Sequence, residues 1–508
     1  MSSMPFATMG NGRAIDRALV PRLQPHEFTS AMQVAVEGGM RVVSFFGAAT
    51  ADPDGVDLIA ILADERDAHL HLAQTRVIGD FESLTPRCPQ VHLFEREIAE
   101  QFGLRAVGHP WFKPVRYHGS QLAGRDVFAQ PDGTALPIGV TDFYRIEGDE
   151  VHEVAVGPVH AGVIEPGHFR FQCHGEVVFH LEISLGYQHR GVERALIGGP
   201  NRRTIHYAET LAGDTSVGHA TAYCQILEAL SRCQKPARAQ ALRGIALELE
   251  RLANHVGDLG ALANDVGFLP TASYCGRLRG DFLNLTATLC GSRFGRGMIR
   301  PGGVGFDADD AMVRDVLIRL DAAERDTANA VDLLWDTPSV MARFDETGML
   351  PREIAEALGL VGPAARACGI TRDVRHDHPS GIFRFAHVPV STWTTGDVFA
   401  RAYVRWLEVQ RSIEFVREQL QHLPPGAVRG PVGAIASNQV AVALAEGWRG
   451  EICHVVLTDE SGRFERYKVV DPSFHNWTGL AYALRGQAIS DFPLCNKSFN
   501  LSYCGHDL

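Results

Sequence analysis

The chain has 508 residues, 45% apolar and 21% charged, the balance of a globular rather than a disordered protein, and its length predicts two domains. A net charge of −12 excludes non-specific nucleic-acid binding through a basic face, and no apolar run reaches the roughly eighteen residues needed to span a bilayer. The ten cysteines contain no Cys-x-x-Cys pair, which excludes the usual zinc ribbon and the usual four-cysteine iron–sulfur run, and they are expected to be reduced thiols of a cytoplasmic protein. The first twenty or so residues lack a basic start followed by an apolar core, so no signal peptide is expected there.

Along the chain, Arg41–Ala48, Val56–Ala63 and His69–Ala73 are apolar-rich strand candidates, the first two separated by an Asp52-Pro53-Asp54-Gly55 turn. A helix is predicted over Val91–Phe102, because Phe94, Ile98 and Phe102 share one face, with Gly103 as its stop. From His118 to Gly139 the sequence loosens into Gly, Pro, Gln and Asp, which sets residues 119–140 as a linker between an α+β unit, 1–118, and a larger domain, 141–508. The larger domain opens with strand candidates Val151–Val156 and Phe169–Phe171 and then turns strongly helical.

In Pro236–Asn264, Leu242, Ile245, Leu249, Leu252, Val256 and Leu259 recur at three and four residues, the stripe of a bundle core helix with Pro236 in its first turn. Asp307–Trp335, with Asp307 as N-cap, and Asp397–Leu420 are two further long helices. The expected fold is an α+β unit followed by a mainly α-helical bundle with small β elements.

Five stretches in the larger domain carry a resemblance. They are Gly157–Phe171 (GPVHAGVIEPGHFRF) with Leu185–Glu193 (LGYQHRGVE), Arg296–Val304 (RGMIRPGGV), Gly362–Arg375 (GPAARACGITRDVR), Glu446–Glu451 (EGWRGE) and Arg466–Trp477 (RYKVVDPSFHNW). In this order they resemble the large subunit of energy-converting, membrane-bound [NiFe]-hydrogenases and its relative, the 49-kDa subunit of respiratory complex I. Leu93–Pro110 (LFEREIAEQFGLRAVGHP) resembles the 30-kDa complex I subunit, so the chain looks like a fusion of the two, as in the formate hydrogenlyase branch.

A nickel–iron site needs four thiolates, and the family supplies them as two Cys-x-x-Cys pairs. By the family register the first pair falls on Ala212 and Thr215, and the second, after Asp471-Pro472, on Ser473 and Asn476. None of these has a sulfur, so the resemblance implies a lost nickel centre and no hydrogen chemistry. In the complex I relatives the cavity takes a quinone beside a tyrosine and a histidine. Here the tyrosine position is Gly213, while His160 or His168 stands for the histidine.

The resemblance also places a polar set around the cavity. Glu165 matches the family glutamate that passes protons. Asp214 and His219 lie on the first ligand segment, Asp471 and His475 on the second, and Arg449 matches the arginine over the site. A proton relay through Glu165, Asp214, His219, Asp471 and His475, or a substrate site using His160, His168 and Arg449, stands beside the blander reading of a satisfied buried network. Arg366, Asp373 and Arg375 are expected to brace the bundle, as is the Arg251, His255, Asp258 face. His376 and His378 are expected to be structural.

The resemblance thus implies a subunit of a hydrogenase- or NADH-quinone-oxidoreductase-like complex that couples electron transfer to proton or ion translocation. It would bind no cofactor of its own, apart from the quinone option. The [4Fe-4S] cluster would sit in an iron–sulfur small subunit, and antiporter-like membrane subunits would hold the chain to the cytoplasmic face of the inner membrane. A scaffold subunit without chemistry is the alternative.

Overall fold

The computed structural model describes residues 5–50, 52, 54–122, 124–130, 132–134, 136–162 and 164–508. Pro53, expected in the first turn, lies outside the described residues.

The N-terminal unit contains β1 (Ala7–Gly10), β2 (Arg13–Asp16), α1 (Pro25–Glu37), β3 (Arg41–Ala49), β4 (Gly55–Asp64), β5 (His69–Ile78) and α2 (His92–Phe102). Its antiparallel sheet runs β1–β5–β4–β3, and Arg22–Leu23 adds a short parallel pairing to β5. Strands β3 and β4 are apolar at nearly every position rather than at alternate ones. Their residues share one core with α1, α2 and, across the molecule, Val440, Val442, Leu444 and Val455, so both faces are covered. Phe94, Ile98 and Phe102 of α2 point into this core, and Gly103 closes the helix at φ 64°, a conformation glycine adopts without a Cβ clash.

The described residues of 118–140 contain no helix or strand. Beyond them β6 (Val151–Val156), β7 (His168–His174) and β8 (Val177–Ser184) form an antiparallel sheet with β7 in the centre. The bundle follows: α3 (Ser216–Leu230), α4 (Ala237–Asp265), α5 (Leu269–Cys290), α6 (Asp310–Trp335) and α7 (Val398–Gln421). All six residues of the α4 stripe are fully buried, and α4 packs against both α5 and α7. Pro236 is the N-cap of α4, with ψ 145°, not a first-turn residue. Asp309 rather than Asp307 caps α6, accepting from Met312 N, because Asp307 is drawn instead to Arg238 at 2.7 Å.

The charged faces brace the bundle as expected. Glu408 of α7 takes Arg251 at 3.1 Å and His255 at 2.8 Å from α4, and Arg366 on its other oxygen, while Asp258 pairs with Arg405 and Arg375 with Asp373. His376 and His378 do not form a metal pair. His376 turns to Asp377, and His378 is buried without a hydrogen bond to either ring nitrogen among the described residues.

A second buried sheet was not foreseen. It comprises β9 (Gln439–Gly447), β10 (Gly450–Thr458) and β11 (Phe464–Val470), and β2 from the N-terminal unit completes its edge in the order β11–β10–β9–β2. Gly447 pairs with Gly450, so Trp448 and Arg449 form a two-residue hairpin tip. Gly450, at φ 130°, and Gly362 lie so close that a Cβ on either would overlap the other's backbone, which lets the 361–362 segment press against the tip. The α8 helix (Pro472–Ala483) begins directly after β11. No helix among the described residues is long and apolar enough to cross a membrane.

Candidate functional site

The site forms where three chain reversals meet: the loop before α3, the β9–β10 hairpin tip, and the β11–α8 junction. Asp214 and Arg449 join the first two. The guanidinium reaches the carboxylate with both terminal nitrogens, at 2.6 and 2.8 Å, and its Nε donates to Asn500 O at 2.5 Å. Arg449 also lies over the Trp448 ring, 3.9 Å from the centroid, and Trp448 Nε1 donates to Asp214 O and Thr215 Oγ1. Burial alone would raise the Asp214 carboxyl, but the charge and hydrogen bonds of Arg449 outweigh it and hold the carboxyl below its ordinary value.

The junction supplies Asp471. One oxygen caps α8 by accepting from Ser473 N at 2.8 Å, and the other meets His219 Nε2 at 3.1 Å. From there a buried chain continues: His219 Nδ1 to His454 Nε2 at 3.1 Å, and His454 Nδ1 to Tyr467 Oη at 2.8 Å. An ionised Asp471 only accepts, so His219 Nε2 carries a hydrogen. In the tautomer where that is the only ring hydrogen of His219, His454 Nε2–H donates to His219 and the Tyr467 hydroxyl donates to His454. Burial drives His454 well below the usual imidazole range, which keeps it neutral, and drives Tyr467 well above the phenol range. Burial also opposes ionisation of Asp471, but His219, Arg449 and Ser473 more than compensate.

Glu250 of α4 completes the set beneath the loop. Its oxygens accept from Val217 N at 2.7 Å and Gly218 N at 3.1 Å at the start of α3. Burial pushes its carboxyl up to about 8; the two N–H groups oppose this, and the neighbouring charge of Asp214 adds to it. Two carboxylates are therefore held ionised beside one that keeps its proton at neutral pH, the separation on which acid–base work depends.

The residues anticipated from sequence divide into those gathered here and those placed elsewhere. Asp214, His219, Arg449 and Asp471 are brought together. Glu165 stands at the edge, half-buried, accepting from Gln188 Nε2 and Tyr503 N, both at 3.2 Å. The Cys504 thiol links it to the loop, lying between the Glu165 carboxylate and Gly213 N; burial and the Glu165 charge push that thiol up to about 11.

His475 belongs to a different face and is corrected. Its ring turns from the cavity toward Phe94 of the N-terminal unit, 5.7 Å between centroids, and burial takes it down to about 3. His160 and His168 hold the turn between β6 and β7, through Gly167 O at 2.8 Å and Gly157 O at 3.3 Å, and bond to none of the gathered residues. Glu250, His454, Tyr467 and Cys504 escaped the sequence reading. The only signal for Tyr467 was its place four residues before Asp471-Pro472.

The four family ligand positions do converge, and their chemistry does not fit a soft metal. Ala212 offers no donor. Thr215 Oγ1 is taken by Trp448 and Arg449, Ser473 Oγ accepts from Ser502 N at 2.8 Å, and the Asn476 amide bonds Val361 N and O, both at 3.0 Å. All four are buried, and their polar atoms are occupied by the protein itself.

A helical bundle with a polar cluster between a helix-leading loop and a C-terminal Asp-Pro junction defines a class, that of the hydrogenase and complex I large subunits. The family model for the respiratory-chain NADH dehydrogenase 49 Kd subunit matches residues 265–437 and 431–507. Formate hydrogenlyase subunit 5 of Escherichia coli (strain K12) is 30% identical over 440 residues, 84% of this chain and 76% of that protein. The carbon monoxide-induced hydrogenase of Rhodospirillum rubrum is 33% identical over 352 residues, 69% of this chain and 97% of that protein. The fold is also that of a chain in the membrane-bound sulfane sulfur reductase, an archaeal respiratory membrane complex. That match has a TM-score of 0.67 and 22% identity, and covers 72% of this chain and 100% of that one. The chain belongs to the family of membrane-bound hydrogenase large subunits and complex I 49-kDa subunits.

Proposed function

We propose that this chain is a peripheral subunit of a membrane-attached redox complex of the hydrogenase and NADH-quinone oxidoreductase type, with no nickel of its own, in which the former metal cavity stores and hands on protons. Residues 1–118 form its 30-kDa-like α+β unit, 119–140 the linker and 141–508 the helical, 49-kDa-like domain. A partner iron–sulfur subunit holds a [4Fe-4S] cluster beside the cavity, and antiporter-like subunits tie the chain to the cytoplasmic face of the inner membrane. A reduced cluster there would supply negative charge, and the part of this chain's own residues is to take up a proton at a carboxyl such as Glu250 and give it up again. What supports this reading is the meeting of Asp214, Asp471 and Glu250 around one loop, with Arg449 and His219 lowering the first two carboxyls while burial raises the third, so the three differ in proton affinity.

The test is redox-driven ion transport in membrane vesicles with complex abundance measured in parallel. Glu250→Gln and Glu165→Gln keep volume and one of the two accepted hydrogen bonds but cannot cycle a proton. Each is expected to assemble normally and lower transport by about tenfold or more, the scale of a lost acid–base group. Normal assembly with parental transport in both would leave the scaffold reading in possession. Against quinone reduction in the cavity stands Gly213, which is solvent-exposed and offers no hydroxyl where the resemblance places the quinone tyrosine.

A further inference from the structure

A second cavity, of about 540 Å³, lies on the seam between the N-terminal unit and the large domain, away from the candidate site. Its walls come from α2, from the Pro110–Tyr117 segment, from β8 and from α8. Pro86, Pro114, Leu358, Ala481 and Tyr482 give it a mainly apolar surface, and its size suits a small organic molecule.

Two observations say what kind of molecule. First, Arg96 stands in the wall without a counter-ion: Nε donates to Lys113 O at 2.7 Å and Nη2 to Pro114 O at 2.8 Å, and among the described residues no carboxylate lies within ion-pair distance. A guanidinium in an apolar setting is costly unless paired, and burial lowers its pKa here although the more distant Glu100 and Glu182 act against it. Second, the wall's one carboxylate, Glu182, pairs with Lys113 Nζ at 2.7 Å and accepts from Tyr144 N at 2.8 Å rather than forming an ion pair with Arg96. The cavity thus combines apolar walls with a cation that has no ion-pair partner among the described residues.

We propose that this cavity binds an apolar carboxylate, an acyl chain or aryl ring whose anionic end meets Arg96 while its body lies against the proline-, leucine- and aromatic-lined wall. This ligand site is separate from the proton cluster and does not depend on the function assigned to it. By bridging α2 and α8, the bound molecule would tie the N-terminal unit to the large domain.

The test is equilibrium dialysis of radiolabelled decanoate against the full-length chain, purified with whatever subunits accompany it. Saturable binding is expected, at one site per chain. Arg96→Gln should weaken it about tenfold or more, the value of one charge-assisted contact, while Arg96→Lys restores part of the loss. Ala481→Trp, which fills the cavity from α8, should abolish it. Uncharged 1-decanol should bind at least about tenfold more weakly and be indifferent to Arg96→Gln. Thermal melts of each variant separate lost binding from lost folding. The proposal is overturned if decanoate shows no saturable binding, if both Arg96→Gln and Ala481→Trp fold and bind like the parent, or if decanol or a decyl-benzoquinone binds as tightly as decanoate.

Discussion

Arg449 holds Asp214 with both terminal nitrogens across 235 residues of sequence, tying the tip of one hairpin to the loop that leads the central bundle. Asp214 lies within the first of the two segments on which the resemblance places metal ligands, between Ala212 and Thr215. The arginine is 6% exposed and its partner's side chain 33%, so one end of the contact is buried and the other is partly open to solvent.

Removing only the acid strands the buried guanidinium. Asp214→Ala is expected to cost about 3 kcal/mol in a denaturant titration, at the lower end for a broken buried pair because Asp214 is partly solvated. The double variant Asp214→Asn, Arg449→Met should recover most of that loss. Equal losses in the single and double variants would show that the charge pairing is not what stabilises the loop.

The purified complex should contain no nickel stoichiometric with this chain, because Ala212, Thr215, Ser473 and Asn476 offer no thiolate. Elemental analysis after a chelator wash gives the answer, and retained nickel near one equivalent per chain would refute the assignment.

His475 makes a pH prediction with a definite sign. Its ring ionises near 6.5 when unfolded and near 3 in the fold. Below pH 6.5 the unfolded chain takes up a proton that the folded chain refuses, so this residue lowers stability by about 1.4 kcal/mol per pH unit as the solution is acidified toward 3. The contribution is harmless above 6.5. His475→Asn removes it, so from pH 6.5 to pH 5 the variant should gain about 2 kcal/mol relative to the parent. A parent–variant difference that stays constant over this interval would mean that the folded ring is protonated.

Gly213 is exposed, and no atom lies within 4 Å of where its Cβ would stand. Gly213→Tyr should therefore fold and assemble with a stability change within about 0.5 kcal/mol. A larger loss, measured by thermal melting, would reveal a backbone or packing demand for glycine at this position.

Periodicity and register made much of the molecule legible. The α4 stripe announced a core helix because its apolar residues repeat at three and four, and the Asp471-Pro472 pair located the second ligand segment. The C-terminal sheet stayed hidden for two physical reasons. Its strands are covered on both faces, so polar and apolar residues do not alternate. Its hairpin turns on Trp448-Arg449, with glycines flanking the tip rather than the Asn-Gly or Asp-Gly that marks most two-residue turns. With the sheet hidden, His454 and Tyr467 could not be placed beside His219. Asp309 displaced Asp307 as a cap because a distant arginine, invisible to a local pattern, claimed the earlier acid.

The pairing of β2 with β9 has a consequence for how the molecule can be made and cut. Asn11, at the turn leading into β2, bonds the backbone of Leu444, 433 residues further on, so the edge that β2 covers does not exist until almost the whole chain has left the ribosome. Until then β2 is an unpaired strand, open to any partner that offers a free edge. Once it is seated, the link between the halves no longer runs through the 119–140 segment alone. A protease that nicked this segment would leave the fragments joined by a shared sheet and a shared core, migrating together until denaturant pulled the strand out.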